Sequence, residues 1–302
     1  MTAAAPYPLR FQIGARTLLT ARRRLVRKAL TLDEVLAQAV PVLPPLEDTA
    51  HGYVINSLPA ALLPAVAMRA EGLRPFVRQH YTRYHAEFAG GFEAYLARFS
   101  SKSRATLLRK TRRFAERSGG AIDIRAYRTP AEFETFLALA RIVSRKSYQE
   151  RLLDAGLPED EPESMLALAA EDRLRAFLLF LDGEPVSYLY LPAEGDTLLY
   201  AYLGFDPAIG DLSPGAVLQL EAMRLLMEEG RFTRLDFTEG EGQHKRLFST
   251  GGVACLDLLL LRPSLMNLAC VTALDGFDRT VAAVKSLTDR PALRPLTRAL
   301  RR

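Results

Sequence analysis

The sequence predicts an α/β protein of the α+β kind, with one mixed sheet and helices packed on it. Three observations carry that expectation. Capping boxes at Thr31 with Glu34 and at Thr129 with Glu132 open helices. Residues 175–204 hold apolar runs separated by Asp182-Gly183 and Gly195-Asp196, the residue pairs of tight turns. An apolar helix opened by Ser213-Pro214-Gly215 then leads back into a strand.

Taken in order, residues 8–25 read as one extended stretch that ends in the basic run Arg22, Arg23, Arg24, Arg27 and Lys28. The Thr31 capping box starts a short helix through Ala39, which Pro41, Pro44 and Pro45 end. Residues 52–57 read as a strand, 59–70 as a helix, and 76–88 as a strand of alternating aromatic and polar residues. Residues 91–117 form a helical hairpin-like segment. Phe92, Tyr95, Leu96 and Phe99 share a face before Ser100, and the part after it sets Lys102, Arg104, Arg109, Lys110, Arg112, Arg113 and Arg117 around Leu107, Thr111, Phe114 and Ala115. Gly119-Gly120 stops this helix and residues 121–127 read as a strand.

Thr129-Pro130 opens a helix to about Arg145, and Ser147 with Glu150 repeats the cap for a short helix ending at Gly156. A helix over 164–172 precedes a meander of strands at 175–181, 186–191 and 197–204. The helix from Ser213 stops at Gly230, 232–237 returns as a strand, and a polar segment with His244-Lys245-Arg246 leads to a last strand over 253–261. Four segments follow: a basic α/β unit over 1–90, basic connecting helices over 91–118, the main domain over 119–262, and a helical basic tail over 263–302.

The chain has 302 residues, 49% of them apolar and 25% charged, which suits a folded chain of one large or two small domains. Its net charge of +5 is unevenly placed: residues 1–117 carry 19 basic and 8 acidic side chains, the remainder 21 and 27. The positive half attracts phosphates on a nucleotide, an anionic membrane or RNA. Two cysteines exclude a disulfide scaffold, four scattered histidines give no metal site, and no Walker or dinucleotide glycine pattern occurs. With no bilayer-length apolar run and no signal-peptide layout, the expected location is the cytoplasm, including the inner face of a membrane.

Residues 199–207 (Leu-Tyr-Ala-Tyr-Leu-Gly-Phe-Asp-Pro), the Ser213-Pro214-Gly215 helix start, and residues 235–248 (Leu-Asp-Phe-Thr-Glu-Gly-Glu-Gly-Gln-His-Lys-Arg-Leu-Phe) together resemble the cellulose-biosynthesis (CelD-like) branch of the GNAT acyltransferases, close to the FemAB and FemX peptidyltransferases. Asp236, Gly240, Glu241, Lys245 and Phe248 fall on the family's run, whereas Thr238, Gly242 and His244 depart from it. The basic helix and Ser147-Tyr148, where Ser-Trp is common, extend the likeness over residues 90–262. The resemblance implies a GNAT fold, with the N-terminal unit either a degenerate GNAT half or an unrelated lid. It also implies two splayed strands with an acyl-CoA co-substrate between them and direct attack by an amine.

Tyr202, Leu203, Gly204, Ser213, Pro214 and Gly215 are then the donor-binding residues, the helix start offering amides and its dipole to a pyrophosphate. His244 is the leading base, since its ordinary pKa lies near neutrality; Glu239 and Glu241 are its rivals, and Lys245 and Asp236 complete the catalytic set. Tyr200, Tyr148, Arg104 and Arg109 are the acceptor-side candidates. The same residues have plainer readings: Tyr200 and Tyr202 as core aromatics, the two arginines as a solvated face, and the Glu-Gly-Glu-Gly segment as a turn. His80 and Tyr84 join Tyr148 as acceptor-side residues for which the structural reading is preferred. Three activities fit. One is an acyl-CoA-dependent N-acyltransferase acting on a lipid amine (a sphingoid base to a ceramide) or an envelope amino sugar at an anionic membrane. A second is FemX-like transfer from aminoacyl-tRNA, and a third a non-catalytic adaptor on the same scaffold.

Overall fold

The computed structural model describes residues 3–13, 16–147, 156–158, 162–240 and 242–288. The chain divides into two compact units, one built from Met1–Tyr81 with Ala254–Arg302, the other from Thr82–Val253.

In the first unit β1 (Ala5–Ile13) and β2 (Arg16–Ala29) pair antiparallel, so the single extended stretch expected over 8–25 is a hairpin. The Thr31 capping box forms as expected and opens α1 (Leu32–Leu36). That helix stops three residues short of Ala39, because Gln38 turns to a φ of 51°. β3 (Gly52–Pro59) runs parallel to β2, and α2 (Leu63–Arg69) follows. β4 (Arg74–Glu87) carries the chain into the second unit after Tyr81.

The second unit begins with α3 (Gly91–Ala97) and α4 (Ser101–Arg117), separated where the Ser100 hydroxyl accepts from the Ser103 amide and caps α4. β5 (Asp123–Tyr127), α5 (Pro130–Lys146) with its capping box, and α6 (Pro162–Ala170) come next. The short helix expected after Ser147 falls on 148–155, outside the described residues. β6 (Leu174–Leu181) and β7 (Glu184–Glu194) form the expected hairpin, both nearly continuous apolar runs because both faces are covered.

The strand expected over 197–204 is two strands, β8 (Thr197–Leu199) and β9 (Tyr202–Phe205). After them come α7 (Pro214–Glu229), β10 (Arg234–Asp236) and the short α8 (Gln243–Phe248). Within this unit the strand order is β4-β10-β8-β7-β6-β5, with β9 also on β7; β10 is antiparallel to β4 and parallel to β8. One core packs α3, α4 and α7 around Phe114, Leu218, Met223 and Phe237, and a second packs α5 and α6 around Phe133, Phe136 and Tyr190.

β11 (Gly251–Leu261) returns the chain to the first unit, where it pairs antiparallel with β3. α9 (Leu265–Thr288) then places Cys270, Val271 and Leu274 against Leu9, Phe11 and Leu25. Among the described residues no helix is long and apolar enough to cross a membrane. The basic tail from Arg290 lies outside them.

Candidate acyl-transfer site

The site originates where one expected strand becomes two. β8 keeps company with β10 as far as Tyr200, whose N–H donates to the Asp236 carbonyl at 2.8 Å. From Tyr202 to Phe205 the backbone has left β10 and continues on β7, the other neighbour of β8, with Tyr202 opposite Tyr190 and Phe205 opposite Ser187. The chain after β10 follows neither, so the sheet opens. A cavity of about 870 Å³ occupies the opening, lined by β9, the start of α7, Lys110 of α4 and most of α8.

At this cavity the His244 ring stands 5.7 Å from that of Tyr200, which in turn packs on Phe237 at 5.4 Å. His244 is exposed, yet partial desolvation, with the adjacent Lys245 cation second, lowers its pKa below the ordinary value. Tyr200 is only 9% exposed, and burial raises the pKa of its hydroxyl far above the usual range, so it stays protonated. The Lys245 ammonium donates to the Glu239 carbonyl at 2.6 Å and tethers the turn that precedes α8. Arg246 donates to the Tyr84 hydroxyl at 3.2 Å.

Residues 101–246 match the family model of the acetyltransferase (GNAT) domain. That stretch of the chain has the GNAT fold. Two solved structures share its fold. One is the C-terminal domain of a protein described as a lysylphosphatidylglycerol synthetase from Agrobacterium fabrum, 14% identical, with a TM-score of 0.52 over 74% of this chain and 72% of that one. The other is FemX, 13% identical, with a TM-score of 0.53 over 89% of this chain and 91% of that one. No curated protein matches the sequence.

Of the expected catalytic residues, the GNAT domain brings His244 and Lys245 to the cavity. Asp236 is not there. It is fully buried, paired with the Arg83 guanidinium at 2.5 Å and accepting the Thr238 amide at 2.8 Å, so it is a scaffold residue. Glu239 is exposed and does not line the cavity; Glu241 and Tyr148 fall outside the described residues.

Of the donor-binding set, Tyr202, Leu203 and Gly215 line the cavity, whereas Gly204, Ser213 and Pro214 do not. Gly204 is small for a different reason than ligand approach: a Cβ there would lie 2.4 Å from the Tyr188 ring. Gly215 likewise lets α7 approach β9, since its Cβ would meet the Leu203 and Phe205 side chains at 3.1 and 3.3 Å. Ser213 makes no side-chain cap; it reverses the chain instead, with φ 55°.

Tyr200 and Tyr202 both reach the cavity, but from different cores, Tyr202 stacking on Tyr190 at 6.3 Å. Arg104 and Arg109 are exposed on α4 and do not line it. Lys110 does, because it stands three residues after buried Leu107 and four before buried Phe114, on the anchored face of the helix. Gln219 and Tyr188 also line the cavity without having been singled out by the sequence. Their signals, a glutamine in an apolar helix and a tyrosine in an apolar strand, read as core.

Proposed function

We propose that the GNAT domain transfers an acyl group from a CoA thioester to an amine, with His244 as the base. The observation that carries this reading is a histidine of lowered pKa, mostly neutral at pH 7, beside a protonated tyrosine at the mouth of a cavity opened by a split strand. An ammonium acceptor gives one proton to the His244 imidazole and the freed amine attacks the thioester carbonyl carbon. The C–N bond forms, the C–S bond breaks, and the leaving thiolate takes a proton from the Tyr200 hydroxyl. Tyr200 is restored by the second proton released from the acylated nitrogen. Lys110 and Lys245 add positive charge at the same cavity, suited to an oxyanion or a phosphate.

The acceptor in this reading is an amine at an anionic surface, a lipid amine or an envelope amino sugar. Its support is α4, whose Lys102, Arg104, Arg109 and Arg112 are all exposed. A second reading keeps the fold and takes the donor from aminoacyl-tRNA. It is favoured by the FemX likeness, which extends over nearly the whole chain. It also draws on the lysylphosphatidylglycerol synthetase named for the other fold relative.

Thermal stabilisation by acetyl-CoA, palmitoyl-CoA, free CoA and an aminoacyl-tRNA tests both, because a ligand that binds only the folded state raises the Tm. A shift with a CoA thioester supports the first reading. A shift with aminoacyl-tRNA alone replaces it by the second, and no shift with either leaves the adaptor.

A further inference from the structure

The segment expected to be a basic tail opens with ten uncharged residues, 265–274 at the start of α9. One stripe of them, Asn267, Cys270, Val271 and Leu274, has the helical spacing i, i+3, i+4, i+7 and is buried, its last three members against Leu9, Phe11 and Leu25. The opposite stripe, Leu265, Leu268, Ala269 and Thr272, has the same spacing and is exposed, and Met266 and Ala273 widen it. Leu265 is 88% exposed and Met266 69%. A surface helix sets charged and polar residues opposite its buried stripe, so a helix that is apolar on both sides has a second face to cover.

A groove of about 300 Å³ at the start of this face is lined by Leu265 and Leu268 with Phe76, Pro263, Arg74 and Arg262, and by no carboxylate. Arg74 is exposed, with no acidic partner among the described residues. Arg262 donates through Nη2 to the Glu47 carbonyl at 3.2 Å and leaves its Nη1 unbonded and accessible. Two cations thus stand at one end of an uncharged stripe.

We propose that this face of the first unit docks on a bilayer of anionic lipid, with Leu265, Met266 and Leu268 entering below the headgroups and Arg74 and Arg262 holding lipid phosphates at the groove. A helix with an exposed apolar face and arginines at its flank suits the boundary between phosphates and acyl chains. A second protein fits less well. Six side chains along about 12 Å of helix fall far short of the roughly 20–30 residues a side of a stable interface. The face lies outside the transfer cavity, in the other unit, so it goes beyond the proposed function and does not rest on the choice of donor.

Co-sedimentation of the full-length protein with vesicles of phosphatidylcholine, alone or mixed with phosphatidylglycerol, tests it. Wild type is expected to bind the mixed vesicles about tenfold more tightly. Leu265→Asn with Met266→Asn should weaken that binding about tenfold at unchanged Tm. Arg74→Gln should cost about fivefold on mixed vesicles and nothing on phosphatidylcholine. The assignment is overturned if wild type does not prefer the mixed vesicles, or if either variant binds them like wild type. It is overturned too if the α9 variant melts lower, which would make those side chains part of the fold. Light scattering that shows a dimer broken by the α9 variant replaces the bilayer by a second copy. None of these residues lines the cavity, so donor-induced Tm shifts stay as in wild type, and their absence counts against the proposed function alone.

Discussion

Asp257 in the first unit and Asp236 in the second are both buried, and they are held in opposite ways. Asp257 accepts from neutral donors, the Ser57 amide at 2.9 Å, the Gln79 side chain at 2.7 Å and the Tyr81 hydroxyl at 3.2 Å. Asp236 faces the Arg83 guanidinium, itself 6% exposed. In the first unit the carboxylate is dispersed over a polar cluster at the register shift of β11 on β3. In the second it neutralises a buried cation beside the point where the sheet opens. Gln219 completes the contrast, since it is equally buried and has no such partner at its Nε2. Both carboxylates have their partners in place inside the fold, whereas Gln219 is a residue that lines the cavity.

The contrast breaks most visibly at Asp236. Asp236→Ala strands the Arg83 charge, and urea unfolding should show a loss of about 3–5 kcal/mol, partly recovered by adding Arg83→Met. A loss below about 1 kcal/mol would mean that the pair does not hold the unit together. His244→Ala separates site from scaffold: transfer should slow by about a hundredfold or more while the urea midpoint stays put. Equal rates in the variant would remove His244 as the base.

Asp257→Asn keeps one acceptor oxygen and strands no cation, so its cost should be about 1–2 kcal/mol, smaller than that of Asp236→Ala in the same assay. The reverse ranking would undo the comparison.

The smallest effect concerns pH. Burial lowers the His85 pKa below 6.5 against the opposing pull of Glu87 and Asp236, and desolvation lowers that of His244. A depressed histidine pKa means that the folded state binds fewer protons than the unfolded one. Stability is therefore retained above the unfolded value of about 6.5 and declines as pH falls through it toward the lower folded value. Melting curves between pH 7 and 5 should show this decline, and His85→Gln should flatten it. An unchanged slope would assign the acid sensitivity elsewhere.

Local chemistry made much of this legible. Thr31 with Glu34 and Thr129 with Glu132 open helices as written, and Gly230 ends α7 with a φ of 67°. The split between β8 and β9 was not legible, because Leu199-Tyr200-Ala201-Tyr202 alternates like one strand; both halves pair with β7, and the break falls where the chain loses β10 as its second partner. For the same reason the sequence could not separate Asp236 from a catalytic acid. Its partner Arg83 is 153 residues away. His244 was legible as chemistry, but its proximity to Tyr200 is a property of the fold.

The division of the chain gives its synthesis an order. Thr82–Val253 is one uninterrupted segment, whereas the first unit needs residues from both ends of the chain. During translation the GNAT domain can therefore close while β1, β2 and β3 still wait for β11. Until β11 arrives, β3 presents Val54, Ile55 and Leu58 on an unpaired edge. A ribosome that stalls near residue 250 would release a finished catalytic half attached to an exposed, aggregation-prone one.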